Sequence, residues 1–211
     1  MTMIAPSVVC SDLLNLKQEI FLLEEAGANI FHIDVMDGCF VNNITFGFDY
    51  VKSLKKISKI PLFTHLMIVK PERYVERFIE AGSDLVTFHI EATGSPETII
   101  DKIHSLGKKV GVAYNPETEF VPESFLKKAD LILIMTVHPG FSHQKFIEAM
   151  LPKIKRAKEF TLKTDALLEV DGGVNRENAV MLREIGVDIL VACGAIFDDK
   201  HYEENISALR G

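Results

Sequence analysis

Three segments of this chain repeat one pattern: EEAGANIFHIDV (24–35), IEAGSDLVTFHIE (79–91) and REIGVDILVACG (183–194). Each ends an amphipathic stretch at a glycine, passes through Asn or Asp, and runs into a short apolar segment. Glycine just past the last periodic residue is a common helix stop, so each segment reads as helix, turn, buried strand. SLGKKVGVAYN (105–115) and KKADLILIMTV (127–137) are looser copies, and IAPSVV (4–9), IPLFTHLMIV (60–69) and ALLEVDGG (166–173) supply further apolar runs. Repeated units of this kind decide architecture before any single motif does. About eight strands of roughly 4 to 8 residues, each with room for a helix after it, predict a parallel eight-stranded (β/α)8 TIM barrel. The rival, a doubly wound open sheet, lacks its Gly-x-Gly-x-x-Gly turn after the first strand. The length of 211 residues suits one core without a linker, so residues 1–211 are expected to form a single catalytic barrel domain.

Side chains alternate faces along a strand, which sorts the barrel residues. In FHIDVM (31–36), Phe31, Ile33 and Val35 would face the helices and His32, Asp34 and Met36 the interior. The same count turns Phe63, His65 and Met67 inward, then Leu133 and Met135, then Glu169 and Asp171. A lone strand histidine is more often a hydrogen-bonded core residue, and a lone Asp before Gly a turn former. Together, His32, Asp34, His65 and Asp171 place buried charge near three strand ends with no Lys or Arg in those runs. A divalent metal would satisfy all four at once, and mixed imidazole and carboxylate donors suit Zn, Fe, Mn or Co.

Glycine marks the other candidate site. VDGGV (170–174) ends a strand in two glycines before a predicted helix, and ACGAIF (192–197) puts Gly194 at the next strand end. Backbone amides at the last two βα loops of a barrel form a common phosphate site, against the plain reading of tight turns. TVHPGFSHQKF (136–146) carries a Pro-Gly pair and an aromatic; it reads equally as a loop that closes over ligand and as an ordinary connection. Met36, Met67 and Met135 are core by default, although a thioether collar would also dehydrate a reacting centre.

The formal net charge of −7 and the absence of a basic cluster argue against nucleic-acid binding; KSLKKISK (52–59) reads as the solvated face of a short helix. No apolar run approaches the roughly 20 residues of a membrane span, and MTMIAPSVVC does not resemble a secretory signal, so a cytoplasmic protein with no membrane partner is expected. Cys10, Cys39 and Cys193 show no paired spacing and are expected as reduced thiols.

In order along the chain, IAPSVVCSDLLNL, FHIDVMDGCFVNNITFG, HLMIVKPERYVERFIEAGSD, YNPET, MTVHPGFSHQKF, EVDGGVN and AIF resemble the ribulose-phosphate 3-epimerase family over nearly the whole length. The resemblance implies a (β/α)8 barrel, one divalent metal ion, a small sugar-phosphate substrate and a homo-oligomer. It implies interconversion of D-ribulose 5-phosphate and D-xylulose 5-phosphate through an enediolate. By matched position, His32, Asp34, His65 and Asp171 would hold the metal, with Asp34 and Asp171 also the acid/base pair. Ser7, His65, Met36, Met67 and Met135 would meet the sugar, and Gly140, Gly172, Gly173, Cys193 and Gly194 the substrate or its phosphate. Removing a proton from one face of a carbon beside a ketone and returning one to the other needs two flanking bases, which agrees.

The chain departs from that family's usual pattern at several positions. Cys193-Gly194 stands where Gly-Ser is common, which removes a hydroxyl donor from the eighth loop; His143 replaces a glycine in the sixth, which either stiffens that loop or, when protonated, adds a cation near the phosphate; Asn42 and Cys10 stand for proline and serine. These leave room for another ketose phosphate, such as D-allulose 6-phosphate. A barrel decarboxylase is ranked low because residues 34–37 read Asp-Val-Met-Asp without the expected lysine, and a barrel that only binds sugar phosphates conflicts with the acid/base pair.

Overall fold

The structure, a computed structural model, describes residues 2–211. Eight parallel strands make up the sheet: β1 Met3–Pro6, β2 Phe31–Met36, β3 Leu62–Met67, β4 Leu85–His89, β5 Lys109–Tyr114, β6 Leu131–Met135, β7 Leu167–Asp171 and β8 Ile189–Ala192. Their order is β1-β8-β7-β6-β5-β4-β3-β2. A parallel bridge between Ser7 and His32 joins the two ends, and Asn29 N–H donates to the Ile4 carbonyl at 3.0 Å. This is the expected (β/α)8 barrel.

Two apolar layers result from the strand alternation. Phe31, Ile33 and Val35 pack outward with Leu23, Val51 and Leu54 of the helices, while Ala5, Phe63, Leu133 and Val191 fill the barrel interior. The helices are α1 Leu16–Glu25, α2 Phe48–Ile57, α3 Val75–Ala81, α4 Pro96–Ser105, α5 Leu151–Thr161, α6 Arg176–Ile185, α7 Gly194–Phe197 and α8 Tyr202–Arg210. Lys52, Lys55 and Lys56 lie exposed on α2, the solvated face its sequence predicts. Between β5 and β6 no α-helix forms, only a 3-10 turn at Ser124–Lys128. That stretch carries Pro116 and Pro122, which lack the amide a helix ladder needs.

The repeated Asn or Asp has a structural job. Asn29, Asp84, Asp130 and Asp188 each follow a helix or turn and reach back to the amide opening the preceding strand or lying next to its start. Their side-chain oxygens accept from Ile4, Leu62, Val110 and Leu168 N–H at 2.8 to 2.9 Å. The same four residues' own amides donate to the carbonyls of those strand residues. Each repeat therefore clips its strand to the neighbour at the N-terminal rim, away from the ends where the polar residues gather.

Closure of the ring also overturns one expectation. Cys10, just past β1, and Cys193, just past β8, form a disulfide with a Cα–Cα distance of 5.7 Å, and Cys39 is the free cysteine. A separation of 183 residues hid the pairing from spacing arguments, whereas adjacency of β1 and β8 brings the two loops within the usual disulfide span. No helix among the described residues is long and apolar enough to cross a membrane.

Candidate metal centre and cavity

Strand register sets the centre. Asp34 on β2 lies opposite His65 on β3, Met36 opposite Met67, and Met135 on β6 opposite Asp171 at the end of β7. His32, Asp34, His65 and Asp171 each offer one ligand atom, and these four atoms lie within 4.8 Å of one another. His32 Nε2 is 3.2 Å from Asp34 Oδ1 and 3.6 Å from Asp171 Oδ2; His65 Nδ1 is 3.1 and 3.8 Å from the same oxygens.

The outward nitrogens are committed elsewhere. His32 Nδ1–H donates to Glu169 Oε1 at 3.1 Å. His65 Nε2–H donates to His89 Nε2 at 2.8 Å, and His89 Nδ1–H to Glu91 Oε2 at 3.3 Å. With those protons facing outward, both rings aim lone pairs at the centre, where His32 Nε2 and His65 Nδ1 stand 3.2 Å apart beside two carboxylate oxygens. Two ring nitrogens and two carboxylate oxygens converging at this spacing suit a cation that would displace their protons, and carboxylate-backed imidazoles are the usual support of such ligands. The residues fit a divalent metal.

Without a cation, protons settle the charge at the centre instead. Burial, and next the Asp34 charge, push Asp171 up to about 8. Burial, with His89 and His32 nearby, takes His65 down to about 3. Burial opposes the charged forms of His32 and Asp34 too, but each is the other's main counter-charge: His32 is held well above the ordinary imidazole range and Asp34 below the ordinary carboxylate range. A bound cation would relieve the carboxylates of their mutual repulsion.

Above the centre opens a cavity of about 390 Å³. Asp34 and Asp171 form its floor with Ser7, whose Oγ–H donates to Asp34 Oδ2 at 2.5 Å. Met36, Met67 and Met135 line it as well, with Gly140, Gly172, Gly173, Cys193 and Gly194 of the loops after β6, β7 and β8. His32 and His65, buried at 1% and 0%, lie beneath it; His65 thus meets the carboxylates rather than the cavity surface. Gly172 and Gly173 adopt φ of +122° and +64°, and a Cβ on Gly172 would stand 2.7 Å from the Val137 amide nitrogen, so side chains are excluded at this end of β7.

The loop after β6 leans over this space. Phe141 is 61% exposed at its tip, and the Gly140 carbonyl accepts from Asn43 Nδ2 at 2.7 Å. Asp37 turns out to be the turn former: its Oδ1 accepts from the Cys39 and Phe40 amides and its Oδ2 from the Val69 amide. Residues whose part the sequence did not disclose are His89 and Glu91 behind the histidines and Asn43 and Asp198 on the rim, whereas His143 stands out in the sequence as the sixth-loop departure. Glu169 had been placed inward by alternation; FHIE (88–91) carried the same signal for His89, at the end of a strand in the repeat.

The profile of the ribulose-phosphate 3 epimerase family matches residues 3–197. The chain belongs to that family. A ribulose-phosphate 3-epimerase of Bacillus subtilis (strain 168) is 43% identical over 215 residues, covering 100% of this chain and 99% of its own length. One from Synechocystis sp. is 42% identical, covering 98% and 92%, and one from Methanocaldococcus jannaschii 41%, covering 100% and 90%. Among solved structures, 3-hexulose-6-phosphate synthase from Salmonella typhimurium superposes with a TM-score of 0.71 at 16% identity, covering 99% of this chain and 96% of that one. Phosphoribosyl anthranilate isomerase of Thermus thermophilus gives 0.69 at 15%, covering 100% and 98%. At such identities these two share the barrel alone; membership of the epimerase family rests on the sequence relatives.

Proposed function

We infer that this chain is an isomerase that epimerises D-ribulose 5-phosphate and D-xylulose 5-phosphate at C3. Family membership supports the reaction, and the observation that carries it onto these residues is the pair Asp34 and Asp171. They reach one cavity floor from β2 and β7, three places apart around the barrel, with their oxygens inside a 4.8 Å cluster. A ketose carbon between them would present one face to each carboxylate, so one removes the C3 proton and the other supplies a proton to the opposite face.

Ser7 holds Asp34 by one oxygen and limits its rotation. Met36, Met67 and Met135 exclude water from the reacting carbon, and the glycine end takes the phosphate on backbone amides. His32, Asp34, His65 and Asp171 would hold one Zn, Fe, Mn or Co ion, which supplies Lewis-acid stabilisation of the negative charge that grows on the substrate's oxygens. Assembly of several copies belongs to the same reading, and light scattering of the purified protein decides it.

Proton NMR of D-ribulose 5-phosphate in deuterated water with metal-loaded protein tests the assignment. Deuterium entering C3 with xylulose 5-phosphate appearing, both stopped by a chelator, is the expected result. Exchange with D-allulose 6-phosphate but not the pentulose would move the substrate to six carbons, and exchange with neither would end the epimerase reading.

A further inference from the structure

A contact on the cavity rim has no part in the scheme above. His143, in the loop between β6 and α5, has φ of +61°, a left-handed backbone uncommon outside glycine, although histidine takes it more readily than most residues. Such strain persists where surrounding contacts over-determine it, and here they are visible. Ser142 Oγ–H donates to His143 Nδ1 at 3.0 Å, which leaves the proton on Nε2; Nε2–H donates to Asp198 Oδ1 at 2.9 Å. Asp198 directly follows α7 in the loop beyond β8, so this bond joins two neighbouring βα loops, and both residues line the cavity.

Gly194 lies under the pair. A Cβ there would stand 2.9 Å from Asp198 Oδ2, 3.0 Å from His143 Cδ2 and 3.2 Å from His143 Nε2. The imidazole therefore occupies the volume that a side chain at 194 would need, and it brings an N–H donor to that spot. His143 thus puts its donor in the space that glycine at 194 leaves open.

We propose that His143 is a phosphate-binding residue of this enzyme and that its Nε2–H exchanges the Asp198 carboxylate for the substrate's phosphate on binding. The exchange is favourable because the His143–Asp198 contact is more than half exposed on both sides and so is weak, while a phosphate at the same donor also faces Gly172, Gly173 and Gly194. The sugar rests on the epimerase reading; the anion exchange does not, since inorganic phosphate is enough to read it.

The test compares wild type with His143→Gly, Asp198→Asn and the double variant His143→Gly/Gly194→Ser, by pentulose phosphate kinetics and by calorimetric titration with inorganic phosphate. Glycine relaxes the left-handed backbone at 143, so the first variant tests the imidazole and not the fold. Loss of a charge-assisted hydrogen bond should raise KM and the phosphate dissociation constant about tenfold, with kcat within about twofold. Asp198→Asn should tighten phosphate a few-fold by removing the competing charge, and Gly194→Ser should recover most of the loss in the double variant as exposed Asp198 turns aside. Unchanged phosphate binding in His143→Gly, or weaker binding in Asp198→Asn, overturns the proposal. Wild type that binds inorganic phosphate but leaves the pentulose phosphate unchanged overturns the epimerase reading, and the phosphate titrations still decide the role of His143.

Discussion

Glu169 is fully buried, and only one of its oxygens has a partner, the His32 Nδ1–H; Oε2 has none. A carboxylate kept in so unfavourable a place orients the imidazole and raises its basicity toward a cation. Glu169→Gln keeps the shape and removes the charge, and chelator competition should show metal affinity falling about 10- to 100-fold. His65 is backed differently, through His89 to Glu91, so a polar chain ends in a carboxylate behind each ring. At the floor, Asp171→Asn should lower C3 exchange by roughly 10³-fold or more while leaving near-ultraviolet circular dichroism unchanged, since the amide fills the same volume but cannot accept the proton. A variant that still exchanges at near wild-type rate would remove Asp171 from the acid/base pair.

At the scale of elements, the clip residues make the clearest prediction. Asp188 accepts from the Leu168 amide and from Lys158 Nζ at 3.0 Å. Its replacement by Ala leaves the amide opposite short of a partner, and urea unfolding should show a loss of about 1 to 3 kcal/mol with kcat retained, because the clip lies at the opposite rim from the carboxylates. Asp84 makes the same link to the Leu62 amide, and burial's upward push on its carboxyl is outweighed by Lys55 and that amide, so it is held below the ordinary range. A carboxylate lowered in the folded state adds stability above the unfolded value and loses it as pH falls through the folded one. Wild-type stability should therefore drop from about pH 5 toward pH 3 more steeply than that of Asp84→Asn, as read from urea midpoints across that range.

On the scale of the molecule, the seam between β1 and β2 is the thin part of the barrel, joined by one bridge, the two Asn29–Ile4 bonds and the Ser7–Asp34 bond. The Cys10–Cys193 disulfide fastens the loops after β1 and β8 beside it. Closing a loop of 183 residues restricts the unfolded chain strongly. Reduction should lower the thermal midpoint by roughly 5 to 15 °C, and Cys10→Ser should do the same without reductant. Thiol titration of the oxidised, denatured protein should find Cys39 alone; three reactive thiols would contradict the pairing.

The period of the chain determined the barrel, because strand alternation and glycine stops are local effects that each segment carries within itself. For the same reason His32, Asp34, His65 and Asp171 could be turned inward from their positions alone, and the β7 and β8 glycines placed at the strand ends. What local pattern could not carry was adjacency between distant segments. Cys10 meets Cys193 because the last strand lies beside the first; His89 backs His65 because β4 lies beside β3; His143 fills the space over Gly194 because two loops, about 50 residues apart, share one rim. Those contacts depend on ring closure and on loop conformations with no sequence period. They belong to the tertiary structure, which decided how the centre is supported and how its rim is occupied.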